Sequence, residues 1–469
     1  MRTQEIEQRA QAILQAPILN VHQEKLSKAL LSIEAKTALS KKMQARAASV
    51  LPNGSQHTLP LHYPYPFYME KGVGSKLIDI DGNQYVDYIL SGGAIILGHN
   101  HPGLIDTITA LLQSKTHFHG HFDVLELMAA EEVIQFFPSV EKVRFTASGS
   151  EANIAAVKIA RAYTGKQKVV KFNGNYHGWG NEFLIDVEVP GSGKYVSQGI
   201  PDSFMDETVL VPQNDLEALE AAFKKYKSQG GIAAVICEPM GAESGLVPFE
   251  ENFHVEAMAM AHRYGALYIF DEVVTGFRMG IGGAQAHLGI SPDLTTLGKG
   301  LMNGFPACGA VAGKKEIMDT ASTGLPADRP FTFVAGTLSG NALSMAACKY
   351  VVNYLRTSDA LDKANKTAAD LIYKLNAMFD AYHTPYFAYN YGNIVRVELT
   401  APHAISINSM EAMQEVLQRR SVLAQYSAIT SSCGVLSRMG RDFVSCAHSV
   451  SDNDAYVNAY EVLVQSLVR

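Results

Sequence analysis

The amino-acid sequence predicts an α/β fold with a large domain built on a mostly parallel sheet and a smaller C-terminal α/β domain. Apolar runs alternate with helical stretches between about residue 97 and residue 335, a pattern typical of a sheet covered on both faces. Polar residues directly follow three of these runs, namely Ser148, Glu238 and Asp271. Open α/β sheets bind ligands beyond the carboxyl ends of their strands, so these residues are candidate ligands.

Composition limits the class of protein. The 469 residues, 47% of them hydrophobic and 18% charged, are enough for a large core and favour two or three domains. The formal net charge of −7 gives no basic surface for nucleic acid or anionic lipid. The five cysteines form no C-x-x-C pair, and neither a signal-peptide pattern nor a stretch of about twenty apolar residues occurs. We therefore expect a cytoplasmic protein without nucleic-acid or membrane partners.

The N-terminal region predicts helices followed by a small antiparallel unit. Up to about residue 50, lysines and glutamates are spaced among leucines and alanines, and Pro52-Asn-Gly54 ends the helical pattern. Short alternating runs from 67 to 88 surround the Asp81-Gly82 turn, which is typical of a hairpin. We assign three domains to the chain: a helical arm with the antiparallel segment at 1–95, the large domain at 96–335, and the small C-terminal domain at 336–469.

Apolar runs and helical stretches also define the expected elements of the two following domains. The C-terminal domain is expected to contain a helix at 342–356 and a strand at 394–399. In the large domain we expect a helix at 151–164 and strands at 142–147, 168–172, 233–237 and 266–270.

One lysine and one aspartate suggest the chemistry of the large domain. Lys299 lies between two glycines, and Asp271 ends the apolar run that precedes it. A lysine amine can hold an aldehyde cofactor as a Schiff base, while an aspartate anchors the pyridinium nitrogen of that cofactor. The pair therefore suggests pyridoxal phosphate. The alternative is structural, with a solvated loop lysine and the polar end of a core strand.

A third motif has the features of a phosphate site. The strand predicted at 142–147 leads through Ser148, Gly149 and Ser150 into the predicted helix. Glycine allows the backbone to approach an anion, the hydroxyls can donate hydrogen bonds, and the helix start presents free N–H groups. The alternative is an ordinary serine N-cap, which would explain Ser150 by itself.

These motifs occur with others in a fixed order between residues 74 and 448. The additional pieces are Asp79-Ile-Asp-Gly82, Leu97-Gly-His-Asn-His-Pro102, Tyr176-His-Gly178, Glu238-Pro239 and Ala335-Gly-Thr-Leu-Ser-Gly-Asn341. The chain resembles the class III aminotransferases of fold type I, which use pyridoxal 5′-phosphate. Within that class it is most similar to the glutamate-1-semialdehyde aminomutase branch.

The resemblance implies a role for four residues around the cofactor ring. Lys299 would form the internal aldimine and later move a proton as general acid and base. Asp271 would keep the pyridine nitrogen protonated, so that the ring can accept electrons. Tyr176 would stack on one face of the ring and Val273 would pack against the other.

The resemblance also implies how the phosphate is held and how the chain assembles. Ser148, Gly149 and Ser150 would bind the phosphate from one subunit, while Thr337 would reach it from the neighbouring subunit. The expected assembly is therefore a homodimer with shared active sites.

The sequence departs from the aminomutase pattern at the N-terminal loop and after Glu238-Pro239. The aminomutases carry an arginine after a Pro-Gly-Gly start, which grips the substrate carboxylate. Here the stretch 51–60 has His57 or Thr58 near that place. Glu243 stands where the family has an asparagine, and we include it among the candidate cofactor-binding residues.

A further departure lies in the C-terminal domain. A family glutamate is replaced near Gly440, beside Arg438 and Arg441. These two arginines could form a carboxylate clamp from another direction, or they could be solvated surface charges.

The departures favour an aminotransferase that moves an amino group from an amine or amino-acid donor to an oxo acceptor. The alternative is a glutamate-1-semialdehyde-type aminomutase or an amino-acid epimerase, which needs no second substrate. A non-catalytic scaffold is the third hypothesis, although a scaffold would require neither Lys299 nor Asp271.

We expect no metal site. His117, His119 and His121 alternate along the chain, but no cysteine or carboxylate nearby completes a set of four ligands. By alignment with the family, this segment lies near the mouth of the active site, where a substrate contact is the better hypothesis.

Overall fold

The computed structural model describes residues 3–56, 63–114, 121–187, 192–322, 324, 329–405 and 409–468, apart from the side chains of residues 243 and 244. Its contacts divide the chain into two compact units. We call residues 102–361 the central unit, and residues 1–101 together with 362–469 the terminal unit.

The helices alternate with the strands along most of the chain. The helices are α1 (Thr3–Gln15), α2 (Gln23–Lys36), α3 (Ala38–Ala47), α4 (Leu90–Gly93), α5 (Pro102–Ser114), α6 (Val124–Phe136), α7 (Gly149–Thr164), α8 (Leu216–Tyr226), α9 (Ala242–Gly245), α10 (Phe253–Arg263), α11 (Gly283–Leu288), α12 (Lys315–Met318), α13 (Ala342–Thr357), α14 (Ala360–Ala381), α15 (Met410–Ser432) and α16 (Val450–Gln465). The strands are β1 (Met69–Val73), β2 (Lys76–Asp79), β3 (Gln84–Asp87), β4 (Lys142–Thr146), β5 (Lys168–Phe172), β6 (Thr208–Val211), β7 (Ile232–Cys237), β8 (Leu267–Asp271), β9 (Leu294–Gly298), β10 (Gly309–Gly313), β11 (Phe387–Tyr391), β12 (Ile394–Glu398), β13 (Val435–Leu436) and β14 (Arg441–Phe443).

A seven-stranded sheet forms the middle of the central unit, in the order β4-β10-β9-β8-β7-β5-β6. Strands β9, β8, β7, β5 and β6 pair in parallel, whereas β10 is antiparallel to both β4 and β9. The prediction of a large, mostly parallel sheet is confirmed, with β10 as the exception.

Helices cover both faces of this sheet because alternate strand residues face opposite sides. On one face, Val235 and Cys237 of β7 share an apolar cluster with residues of α8 and α10. On the other face, Ala234 and Ile236 pack in a cluster with residues of α7. Every residue of β7 is buried, as expected for a strand between two helical layers.

The terminal unit contains two smaller sheets. One has the order β1-β2-β3-β13 and the other β11-β12-β14. Strands β1, β2 and β3 are antiparallel, with the β2–β3 turn at Gly82, where φ is +85°. This confirms the antiparallel unit predicted around Asp81-Gly82.

The N-terminal arm packs within the terminal unit. Ile6, Ala10 and Ile13 of α1 are buried in the same apolar cluster as residues of α14 and α16. A β-bridge between Val21 and Leu467 ties the arm to the C-terminal end of the chain. The arm is therefore part of the core of this unit.

The contacts join residues 1–101 with residues 362–469, and α13 packs on α5 and α6 within the central unit. Packing does not test which segments fold independently. The three predicted domains, at 1–95, 96–335 and 336–469, therefore stay a prediction.

Candidate active site

Asp271 lies at the carboxyl end of β8, where three hydrogen bonds orient its carboxylate. Its Oδ1 accepts from the backbone N of Val273 at 3.0 Å. Its Oδ2 accepts from Asn153 Nδ2 at 2.8 Å and lies 2.8 Å from His177 Nδ1. The side chain is buried, so these partners replace the water that an exposed carboxylate would bind.

No lysine or arginine in the described part of the chain forms an ion pair with this carboxylate. Among the described residues, the only ion-pair partner within 4.0 Å of Asp271 is His177. Burial lowers the pKa of His177, although the hydrogen bond to Asp271 opposes that shift. A neutral imidazole that donates from Nδ1 adds no positive charge. A buried carboxylate in this state favours a cationic ligand, and a protonated ring nitrogen fits that requirement.

Lys299 follows the strand that neighbours β8 in the sheet. Strand β9 pairs with β8 so that Thr296 is opposite Asp271, and Lys299 follows β9 directly. The lysine is half-buried and has a φ of +44°, a left-handed conformation that costs energy for a residue with a side chain. Such conformations concentrate at functional sites, where the surrounding structure holds them.

The predicted phosphate motif forms the N-terminus of α7. Ser148 caps this helix, because its side chain accepts from Glu151 N at 3.2 Å. The alternative hypothesis that Ser150 is an ordinary N-cap is therefore wrong, because the cap is Ser148. With Ser148 as the cap, the first backbone N–H groups of a sixteen-residue helix start at Gly149, as an anion site requires.

Glycines bring the phosphate motif close to its neighbours. A Cβ at Gly149 would lie 2.9 Å from both Val273 methyl groups, and one at Gly178 would lie 2.2 Å from Ser150 Oγ. The structure therefore places Val273 against the phosphate motif, and the Tyr176-His-Gly178 segment against its last serine.

Tyr176 is anchored by its backbone, while 41% of the residue remains exposed. Its N–H donates to Glu238 Oε1 at 2.9 Å, and Glu238 N donates to Asn175 Oδ1 at 2.8 Å. Glu238, a candidate ligand from the sequence, thus holds the Tyr176 loop. The predicted stacking of the Tyr176 ring on the cofactor stays a prediction.

Two residues of the site were not assigned a role from the sequence. The sequence shows His177 only within the Tyr176-His-Gly178 motif and Asn153 only within the predicted helix at 151–164. Asn153 lies on the buried face of α7 with Ala152, Ala156 and Ile159, and a polar residue on an otherwise apolar face could have drawn attention to it.

The central unit also contains a fully buried amine. Lys171 on β5 is fully buried and donates from Nζ to Ile185 O at 2.9 Å. Burial lowers the pKa of Lys171 to about 8, although Asp186 and Glu238 oppose the shift. The sequence showed this lysine only as part of a strand.

Several predicted residues are not placed in the site. Thr337 is exposed in the segment before α13, and its contact with the phosphate of a neighbouring subunit stays a prediction. Arg438 and Arg441 belong to the terminal unit, and their carboxylate clamp stays a prediction. Outside the description lie His57, Thr58, His117, His119 and the side chain of Glu243.

Within the described ranges, no group of three or more His, Cys, Asp or Glu side chains could hold a metal ion. Across the same part of the chain, no helix has both the length and the apolar character needed to cross a bilayer.

Comparison with known proteins gives consistent matches. The family model for "Aminotransferase class-III" matches residues 60–436. A glutamate-1-semialdehyde 2,1-aminomutase of Persephonella marina is 35% identical over 413 residues, which cover 86% of this chain and 92% of the relative.

Two solved structures illustrate the similarity of fold. An omega-transaminase from Sphaerobacter thermophilus has a TM-score of 0.83 at 27% identity, covering 92% of this chain and 99% of that one. A glutamate-1-semialdehyde aminomutase from Pseudomonas aeruginosa has a TM-score of 0.81 at 24% identity, covering 95% and 99%. At that identity the second comparison supports the fold alone.

Proposed function

Because this chain belongs to the class III aminotransferase family, and is an enzyme whose cofactor is pyridoxal 5′-phosphate, we propose that it transfers an amino group from an amine or amino-acid donor to an oxo acceptor. Lys299 carries the cofactor in this proposal, and Asp271 holds its ring nitrogen. The supporting observation is the buried Asp271 carboxylate, which accepts three hydrogen bonds but has no lysine or arginine partner within 4.0 Å among the described residues.

The residues present fit this cofactor. When bound, it supplies an electron sink for the electron pair left by a bond broken at the donor's Cα. Asp271 keeps a proton on the ring nitrogen, and its three hydrogen bonds fix the orientation of its carboxylate. Lys299 directly follows the strand that pairs with β8, and its Nζ moves the proton at Cα. The backbone N–H groups at the start of α7, with Ser148 and Ser150, bind the phosphate.

The assembly that we propose is a homodimer in which Thr337 reaches the phosphate of the neighbouring subunit. Apolar side chains that a monomer would expose to water support it: Phe122 is 92% exposed and Phe333 is 73% exposed. The segments 126–130 and 334–340 line one cavity of about 510 Å³ in the central unit. Thr337 lies within the segment 334–340. A second copy that packs against this segment would therefore lie next to Thr337.

Sedimentation of the cofactor-loaded protein tests the dimer. We expect a dimer for the wild-type protein and for Leu39→Asp, which changes an exposed apolar residue of the arm. Phe333→Asp should dissociate the protein and weaken cofactor binding with it. A Phe333→Asp protein that remains dimeric with full cofactor affinity would contradict the shared-site arrangement.

The second candidate function is an aminomutase that returns the amino group to an adjacent carbon of the same substrate. The observation in its favour is the similarity to the aminomutase of Persephonella marina, which aligns with 86% of this chain. The departures at 51–60 and near Gly440 count against it, because the resemblance implies that an arginine missing from 51–60 grips the substrate carboxylate in the aminomutases. An amino-acid epimerase is a related alternative, since it also needs no second substrate.

Product analysis distinguishes these reactions. The cofactor-loaded protein is mixed with a panel of amines and amino acids, first without and then with an oxo acid. An aminotransferase releases one equivalent of oxo product per site without the acceptor, and turns over only with it. A mutase or an epimerase converts a single substrate without any acceptor. Lys299→Ala should abolish either reaction, whereas Lys158→Ala, an exposed change on α7, should not.

We also propose a cytoplasmic location. Within the described part of the chain, which includes all five cysteines, no disulfide occurs, and Cys237 and Cys348 are buried, as is common where thiols stay reduced. Fractionation of cells that produce the protein, with immunodetection of each fraction, tests this location.

A further inference from the structure

Asn153 connects the elements that form the cofactor site. It lies in the second turn of α7 and is 1% exposed. Its Nδ2 donates to Asp271 Oδ2 at 2.8 Å and to His177 O at 3.0 Å. Its Oδ1 accepts from Thr296 Oγ1 at 2.6 Å. One side chain of α7 thus bonds to the Tyr176-His-Gly178 segment, to the end of β8 and to β9, the strand that precedes Lys299.

The hydrogen-bond directions in this junction are fixed by chemistry. A carboxylate and a carbonyl can only accept, so both must face the amide nitrogen of Asn153. The Thr296 hydroxyl must then donate to the amide oxygen. Every polar atom of the Asn153 side chain is used, and its loss would leave buried groups of three other elements without that partner.

We propose that Asn153 is a positioning residue of the active site, which holds the Asp271 carboxylate in place relative to both the phosphate-binding helix and the strand of Lys299. The inference rests on the proposed function, because it requires Asp271 to be the partner of the ring nitrogen. Asn153 does not touch the cofactor in this proposal. It acts through Asp271, whose Oδ2 it shares with His177.

The competing explanation is that Asn153 only stabilises the fold, and the terminal unit offers a matched control. Asn453 on α16 is also fully buried. It donates to Asp370 Oδ2 at 2.9 Å and to Thr367 O at 2.9 Å, and it accepts from Tyr88 Oη at 3.1 Å. Its three partners are of the same chemical types as those of Asn153, in a unit that contains neither Lys299 nor Asp271.

The experiment compares Asn153→Ala with Asn453→Ala. Each variant is stripped of cofactor and titrated with pyridoxal 5′-phosphate, and the loaded protein is then titrated with acid and base while its visible absorbance is followed. We expect both variants to lose thermal stability. Only Asn153→Ala should bind the cofactor roughly tenfold more weakly, as expected for losing a hydrogen bond to a charged group. Only this variant should show a shifted midpoint of the absorbance change.

Two further variants keep the test decisive. Thr296→Val keeps the shape of the side chain and removes only the donor to Asn153. It should shift the same midpoint, but by less than Asn153→Ala, and it can be measured even if Asn153→Ala fails to fold. Asp271→Asn should change cofactor affinity and absorbance more than either.

The outcomes separate this inference from the proposed function. If Asn153→Ala and Asn453→Ala have the same cofactor affinity and the same absorbance midpoint, Asn153 is a structural residue and the inference fails alone. The same conclusion follows if Asn153→Ala does not fold and Thr296→Val changes neither readout. If Asp271→Asn also leaves both readouts unchanged, the proposed role of Asp271 fails and the inference fails with it.

Discussion

The central and terminal units each bury an asparagine that bonds a carboxylate, a carbonyl and a hydroxyl, but the two carboxylates differ. Asp370, the partner of Asn453, is partly exposed and pairs with Lys374 Nζ at 3.0 Å. Asp271, the partner of Asn153, is buried, and no lysine or arginine in the described chain lies within 4.0 Å of it. The hydrogen-bond pattern is therefore shared by a scaffold and a site. What distinguishes the site is a buried negative charge that no described lysine or arginine pairs with.

Neutralising the two carboxylates should have very different effects. Asp271→Asn removes the charge that keeps a proton on the cofactor ring, and we expect turnover to fall by at least about a hundredfold. Asp370→Asn should leave turnover unchanged, because its partners are Asn453 and Lys374. Steady-state kinetics on the loaded proteins checks both. Comparable losses in the two variants would end the distinction between the two junctions.

Alanine substitutions of the two glycines at opposite ends of α7 should have different effects, one on cofactor binding and the other on the stability of the helix. Gly149→Ala places a Cβ 2.9 Å from both Val273 methyl groups, so we expect cofactor binding to weaken by about tenfold or more. Gly165 ends the helix at a φ of +68° in open space, and alanine there should cost about 1 kcal/mol of stability. Cofactor titration and thermal denaturation of both variants separate the effects. Unchanged cofactor affinity in Gly149→Ala would remove Gly149 from the phosphate site.

Much of the central unit could be predicted because its strands are continuous apolar runs. The runs at 168–172 and 233–237 fall on β5 and β7, and Asp271 ends β8 as expected. Strand β10 was not predicted, since its sequence Gly-Ala-Val-Ala-Gly lacks the large apolar residues that mark a strand. Small residues are required there, because a Cβ at Gly309 would lie 2.2 Å from Ser148 O.

The hydrogen-bonded junction around Asp271 could not be predicted in the same way. Asn153 and Asp271 are 118 positions apart in the sequence, and Asn153 and Thr296 are 143 apart. Local periodicity places each residue on its own element but carries no information about which polar atoms meet. The family resemblance supplied Asp271 and Lys299, but not the residues that hold Asp271 in place.

The stabilities of the two units should also respond to pH in opposite directions, with no change in turnover. Burial raises the pKa of Glu398 in the terminal unit to about 7, although Arg396 opposes the shift. The folded state therefore keeps the Glu398 proton more firmly than the unfolded state, and stability falls as pH rises from 4.5 to about 7. Burial lowers the pKa of His254 in the central unit to about 4, so stability rises with pH from about 4 to 6.5.

Denaturation at several pH values checks these signs. Relative to the wild-type protein, Glu398→Gln should become more stable between pH 5 and pH 8, by at most about 3 kcal/mol. His254→Gln should become relatively less stable as the pH rises from 4 to 7, because it lacks the titrating ring. Neither variant should change turnover at neutral pH. A pH-independent difference from wild type in either case would contradict the assigned cause.

The most direct test of the central claim is to find the amine that carries the cofactor. The protein loaded with pyridoxal 5′-phosphate is reduced with borohydride, which fixes the cofactor to that amine, and the digested protein is mapped by mass spectrometry. The account predicts the label at Lys299, with no label there in Lys299→Ala. A label at the fully buried Lys171, or at any further lysine, would contradict it.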